Sequence, residues 1–454
     1  AAPGSPPTPR ARPCAASRSR DARGGGPVDP AAIQGCARGG PRCYNGLAVS
    51  QQSHTIALPT SSRRPAAPGA LVRREPQLLP AYPAQQRHLA AARRLDVGPK
   101  PPAGRGVIGR LSGLMDVAAF AVLQRLFSGA HRGELGRADY YEMEGGWLAR
   151  SEHADDDVSP YYPEPAAPRM RRRRRAGLPG GWVEDLEFDS TPAPQRPTAV
   201  RMLRRYPRNR VAVIRRLCHA DGGRPALVWI HGWGMGHHRI EAAVCKARWL
   251  YELGLDVYLY VQPYHGKRRP DGVLFAGRLY PSTHMTRTNE GVLQSVWELR
   301  ALMAWHRQQG GAECGVVGLS LGAYIAAVLA SVAPELAFAV PLLPVADMPT
   351  LMWSNGEGTA DRRQAEQAGV TFEMFCRSMA VHAPLARELC IPRDRVLLVG
   401  AEADRIIPPE HTRVLWEHWG RPRIHWIHGG HLVHFGREGY LCRLHDLLRD
   451  LRLL

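Results

Sequence analysis

Gly318-Leu319-Ser320-Leu321-Gly322 is the stretch on which the reading of this chain turns. Before it, Cys314–Leu319 is a short apolar run. After it, Leu321–Ser331 is rich in alanine and patterned as a helix. A strand that turns at once into a helix leaves its corner residue in a strained backbone conformation. Side chains two positions to either side would collide, so glycine is required at 318 and 322. The corner lifts the Ser320 hydroxyl above the sheet and sets it at a helix N-terminus, whose dipole favours negative charge. Ser320 is therefore a candidate nucleophile.

Outward from this corner, eight runs read as strands: Val183–Asp189, Arg210–Leu217, Ala226–His231, Leu255–Val261, Gly315–Leu319, Phe338–Leu343, Arg395–Val399 and Arg423–Ile427. Helical patterns at 239–253, 289–308, 321–331, 410–419 and 437–448 separate or follow the later ones. Strands alternating with helices of this length imply right-handed crossovers and a mostly parallel sheet. The first two strands have no helix between them, which predicts an antiparallel edge. Thr288 is expected to cap the helix that follows it.

A serine needs a base near neutral pH, and the base needs an orienting acid. In a sheet of this kind both should follow the serine, just beyond strand ends. Asp404 stands in such a loop, after Gly400-Ala401-Glu402-Ala403, with Glu402 as its local competitor. His431 ends His428-Gly429-Gly430-His431, where the two glycines let the loop turn back over the sheet. His434 is the rival base. The spacing by three of His425, His428, His431 and His434 crosses a strand, a loop and a helix start, so it does not face them together as metal ligands. Gly232-Trp233-Gly234-Met235-Gly236 is G-x-G-x-G rather than the dinucleotide-binding G-x-G-x-x-G, and no acid ends the next strand. It reads better as an oxyanion loop, with the Trp233 amide as one donor and the Leu321 amide as the other.

The order strand–HGWG, strand–PYHG, GLSLG, strand–GAEAD, GGH resembles the α/β-hydrolase superfamily over about Gly181–Leu454, near its bacterial dienelactone-hydrolase and acyl-peptidase-like groups. The resemblance implies an α/β-hydrolase fold with a mostly parallel eight-stranded sheet. It also implies Ser320 as nucleophile, His431 as base and Asp404 as its partner, cutting a carboxylic ester or related acyl bond without cofactor or metal. The expected substrate is a small or lipid-like ester. The HGWG loop departs from the HGGG loop of many lipases. The segment at about 345–394 is long for a simple crossover. It carries Met348, Met352, Trp353, Phe372, Met374, Phe375 and Met379, and resembles the helical cap that covers such sites. Residues 264–269 (YHGKRR) are expected to be a solvated loop at the pocket rim.

Composition sets the remaining bounds. The chain has 454 residues and a formal charge of +19, of which residues 1–114 carry +13 from 17 basic and 4 acidic residues. Lys100, Lys246 and Lys267 are its only lysines; a nucleic-acid binder has no reason to avoid lysine, so nucleic acid is not an expected partner. Residues 1–114, with 17 prolines and 14 glycines, read as a disordered leader that precedes a biological start near Met115. Residues 115–180 read as a helix, Met115–Phe127, packed on the domain, then a linker whose run Arg171–Arg175 is solvated. Nine cysteines without a C-x-x-C pair point to a reducing, cytoplasmic setting. No apolar run is long enough for stable membrane insertion. Two rivals are a catalytically silent scaffold of the same fold and an Arg-rich protein bound to a polyanion or membrane.

Overall fold

Strand β6 (Cys314–Leu319), which carries Ser320 at its end, runs through the interior of a ten-stranded sheet in a computed structural model of the chain. The structure describes residues 107–127, 159–192, 200, 204–282, 284–367, 370–435 and 437–454. All of them fall within one unit, residues 66–454. The other strands are β1 (Arg171–Leu178), β2 (Gly181–Asp189), β3 (Val211–His219), β4 (Ala226–Ile230), β5 (Asp256–Val261), β7 (Ala339–Leu342), β8 (Leu397–Ala401), β9 (Arg423–Gly429) and β10 (His434–Phe435). Their order is β1-β2-β3-β5-β4-β6-β7-β8-β9-β10. From β5 to β9 the pairings are parallel; β1, β2 and β3 form the antiparallel edge and β10 folds back on β9.

Alternation along the central strands builds two apolar layers. Val228, Ile230, Tyr258 and Tyr260 face helices α4 (Met285–Gln308) and α5 (Leu321–Val332). Leu227, Trp229, Val257 and Leu259 face α3 (Ala247–Glu252) and the C-terminal helix α10 (Arg437–Asp450). The parallel strands all end at the same sheet edge. There Ile230, Leu319, Ala401 and Gly429 hand over to the four loops that matter. Between β7 and β8, helices α6 (Met348–Asn355), α7 (Ala360–Gln367) and α8 (Phe372–Met379) make the insertion, with Trp353 packed against Phe372 and Phe375 at 5.6 and 5.8 Å. Met374 has no described side chain.

Several expectations change. All eight strands are present, and β1 and β10 are added to them. The run Arg171–Arg175 is not a linker but most of β1, in register with the acidic β2. Arg171 meets Asp189 at 2.8 Å, Arg172 meets Glu184 at 3.1 Å, Arg175 meets Asp185 at 2.5 Å, and Arg174 lies over the Trp182 ring at 4.1 Å. Countercharge on the neighbouring strand offsets the repulsion among the arginines and lets the run pair as a strand. The sheet therefore starts at Arg171 rather than Gly181.

The YHGKRR loop is only partly solvated, with Lys267 and Arg269 exposed. Tyr264, His265 and Arg268 are buried, because Arg268 makes a two-pronged ion pair with Glu298 of α4, at 2.7 Å on each arm. Helix α4 begins at Met285 with His284 as cap, and Thr288 instead exchanges hydrogen bonds with the Ser282 backbone at 2.8 and 2.9 Å. The helix expected from Met115 starts at Val107 (α1, Val107–Phe127), so a boundary at 114 would cut it. Its inner face, with Ser112, Gly113 and Asp116, is buried, while Leu111, Leu114, Met115, Val117 and Val122 face outward. The rest of the expected leader, residues 1–106, lies outside the described residues.

Candidate active site

Ser320 sits where β6 ends and α5 begins, with φ 56° and ψ −111°. That positive φ is the strain expected of the corner, and the packing explains the flanking glycines. A Cβ on Gly318 would meet the Gly322 carbonyl, and one on Gly322 would meet the Ile230 carbonyl of the next strand. The backbone therefore has no room for any side chain at either position.

From Ser320 a chain of hydrogen bonds runs through side chains of two other loops. Ser320 Oγ lies 3.0 Å from His431 Nε2, and His431 Nδ1 lies 2.7 Å from Asp404 Oδ2. The other Asp404 oxygen accepts the backbone N–H groups of Ile406 and Ile407 at 2.9 and 2.7 Å, which fixes the carboxylate's orientation. Asp404 is buried and the His431 side chain is 9% exposed. Burial opposes protonation of His431, but the Asp404 carboxylate, as charge and as acceptor, outweighs it, and Asp116 adds to it. The imidazole pKa is held above its ordinary value.

The competitors are placed elsewhere. Glu402 ion-pairs with His428 at 2.8 Å, and His434 lies in β10, paired with Gly429. His425 lies against Gly439 on α10. Among the described residues, no group of three or more His, Cys, Asp or Glu side chains is arranged to hold a metal ion. The two loop glycines have separate reasons. Gly429 has φ 113° and makes the turn, whereas Gly430 is needed because a Cβ there would run into the Asp116 carboxylate. The sequence reading assigned both to bending.

A cavity of about 300 Å³ opens over Ser320. Trp233 and Leu321, the two residues whose amides were expected to hold an oxyanion, line it beside the serine. Gly232 brings the first of these loops close, since a Cβ on it would stand 3.6 Å from Ser320 Cβ. The Trp233 indole N–H donates to the Gly277 carbonyl at 2.8 Å. Most other walls are apolar: Met348, Met352, Trp353 and Phe375 come from the insertion and Phe120 from α1. The insertion's Met379 is packed in the core instead, so its apolar residues divide between lining and packing.

Sheet order, the strained serine corner and the positions of the four loops coincide with one fold family, and residues 187–359 match the family described as alpha/beta hydrolase domain containing 18. The chain belongs to the α/β-hydrolase superfamily.

This α/β hydrolase is 34% identical over 277 residues to an uncharacterised protein of Mycobacterium tuberculosis, a match covering 60% of the chain and 64% of the relative. The chain thus spans just under two thirds of that curated relative. It is 31% identical over 80 residues to the uncharacterised protein YdjC of Bacillus subtilis, covering 18% of the chain and 69% of that protein. Among solved structures it is similar to the acetyl xylan esterase from Paenibacillus sp. R4 (TM-score 0.44, 12% identity, 67% of this chain and 94% of that one). It is also similar to mouse alpha/beta hydrolase domain-containing protein 10 (TM-score 0.39, 18% identity, 53% and 95%). No helix of the described residues is long and apolar enough to cross a membrane.

Proposed function

We propose that this α/β hydrolase cleaves a carboxylic ester, or a related acyl bond, of a small or lipid-like substrate through an acyl-Ser320 intermediate. The observation that carries the reading is the unbroken chain Ser320–His431–Asp404, whose serine lines a largely apolar cavity. Ser320 Oγ bonds to the carbonyl carbon while its proton passes to His431 Nε2. The electron pair moves onto the carbonyl oxygen, held by the Trp233 and Leu321 amides. As the tetrahedral adduct collapses, the bond to the leaving alcohol breaks and His431 returns its proton to that oxygen. Water then repeats the cycle on the acyl-enzyme and releases the acid. Asp404 keeps the imidazole oriented and stabilises its cationic form. No step requires a metal or organic cofactor.

The setting proposed with it is cytoplasmic, on the cysteine pattern of the sequence. Arg171, Arg172 and Arg175 already pair with acids of β2, which leaves that run less available to a polyanion; the leader is a separate matter. The test is labelling of the full chain with a fluorophosphonate probe, beside Ser320→Ala, with the site located by peptide mass spectrometry and short-chain p-nitrophenyl esters assayed in parallel. Label on Ser320 that disappears in the variant, with ester turnover, is the expected result. Folded protein that neither labels nor turns over ester would leave the fold as a scaffold and end the catalytic reading.

A further inference from the structure

One buried acid exchanges no proton and forms no bond in the steps above. Asp116, midway along α1, has 0% exposure and makes no ion pair with a described residue. Its carboxylate instead accepts three backbone N–H groups from two loops. On the loop that carries the base these are His431 at 2.6 Å and Leu432 at 3.0 Å; on the loop that carries the acid it is Arg405 at 3.3 Å. One oxygen, Oδ2, is shared between His431 and Arg405, so a single atom joins the residue after Asp404 to His431 itself. One turn before Asp116, a Cβ on Gly113 would stand 3.2 Å from the Ala403 carbonyl; one turn after it, Phe120 lines the cavity. A carboxylate taken out of water is costly unless fully hydrogen-bonded. Its presence in an otherwise apolar stretch of helix therefore calls for the partners it has.

We propose that Asp116 is a positioning residue for the Ser320–His431–Asp404 site, clamping the base loop to the acid loop and adding negative charge behind the imidazole. This rests on the reading of His431 as the base. Asp404 from the loop after β8 and Ser320 from the β6 corner bond to that imidazole, and Asp116 from α1 bonds to the backbone N–H of the same residue. The Arg405 side chain packs near Gly113 of α1, and Glu402 pairs with His428. Loop and charge act in one direction: a properly seated His431 becomes cationic in the transition state, and a second carboxylate favours that state.

The test compares the full chain with Asp116→Asn, which keeps the shape and removes the charge, and with Gly430→Ala, which keeps the charge and presses a methyl group onto the carboxylate. Three things are read: kcat and KM on a p-nitrophenyl ester, the His431 titration by NMR of histidine-labelled protein, and the thermal midpoint. Asp116→Asn should lower kcat on the order of 10- to 100-fold with KM nearly unchanged, the scale expected when a reacting group is slightly misplaced. It should also move the His431 titration to lower pH. Gly430→Ala should lower kcat with a smaller shift in that titration.

Folded Asp116→Asn with native kcat and an unmoved His431 titration would overturn the proposal, as would a loss of thermal midpoint alone. Should Asp116→Asn fail to fold, Gly430→Ala decides, and native kcat in that variant overturns it. If neither variant folds, Asp116 is a folding residue and the proposal fails. If the native protein hydrolyses no ester, the catalytic reading fails separately. The NMR titration still reports whether Asp116 acts on the imidazole.

Discussion

Two of the buried charge clusters among the described residues are built on opposite plans. Beneath the antiparallel part of the sheet, Arg268 and Glu298 are both 0% exposed and joined on two arms, and Arg268 also donates to the Val261 and Asn209 carbonyls at 3.0 and 2.9 Å. Charge there is cancelled within the pair. At the strand ends, His431 meets two carboxylates, Asp404 on its imidazole and Asp116 on its backbone N–H, and neither is ion-paired with a described arginine or lysine. A closed pair holds parts together. An open surplus of negative charge does nothing for a neutral imidazole but lowers the free energy of a cationic one. The contrast separates scaffold from chemistry without reference to which residues are nucleophiles.

Asp404→Asn should give the largest effect of all, a fall in kcat on the order of 10⁴-fold in protein that still folds, read by steady-state kinetics beside a circular dichroism melt. Full activity in that variant would remove the special standing of the open cluster. Next comes Glu298→Ala, which strands a buried guanidinium and should cost about 3–5 kcal/mol of unfolding free energy. Urea titration measures this, and kcat per folded molecule should stay native. A large loss of kcat in folded Glu298→Ala would show that the closed pair also serves the site.

A smaller effect is one of pH. In the proposed mechanism His431 must be neutral to accept the Ser320 proton, and its pKa is raised, so kcat/KM should reach half its plateau above the ordinary histidine value near 6.5. Stability runs the other way. A folded-state pKa above the unfolded one means that the native form binds the proton more tightly below that point. This contribution is full below pH 6.5 and disappears as pH rises through the folded pKa. Activity and this part of stability should therefore cross within that window, which paired rate and melting profiles would reveal. Smallest of all, Arg172→Ala on β1 should change stability by no more than about 1 kcal/mol. The arginine is 41% exposed, and its partner Glu184 keeps Arg216 at 3.3 Å.

Features written within short windows were legible from the sequence. The serine corner needs only five residues, and each parallel strand is a compact apolar run, so the alternation and the order Ser320, Asp404, His431 could be read directly. What escaped depends on distant partners. The Arg171–Arg175 run looks self-repelling until β2 supplies acids 10 to 18 positions away. Arg268 looks like one basic residue of a loop until Glu298 meets it 30 positions later. Asp116 contacts residues 289 to 316 positions away, beyond any local pattern. Its signal was present in a different form: a lone acid within the apolar run MDVAAFAVLQRLF demands an explanation on cost alone. Gly430 carries the same lesson, since its neighbour fixes its identity and its own dihedral angles do not.

The backbone of Ser320 has a consequence for anyone who breeds or engineers this protein. A φ of 56° with ψ of −111° suits glycine and burdens serine by about 1–3 kcal/mol. Ser320→Gly should therefore be both inert and hardier than the natural chain. Selection for heat resistance or expression yield alone would reward the loss of the proposed nucleophile, so any such screen needs activity as a second criterion.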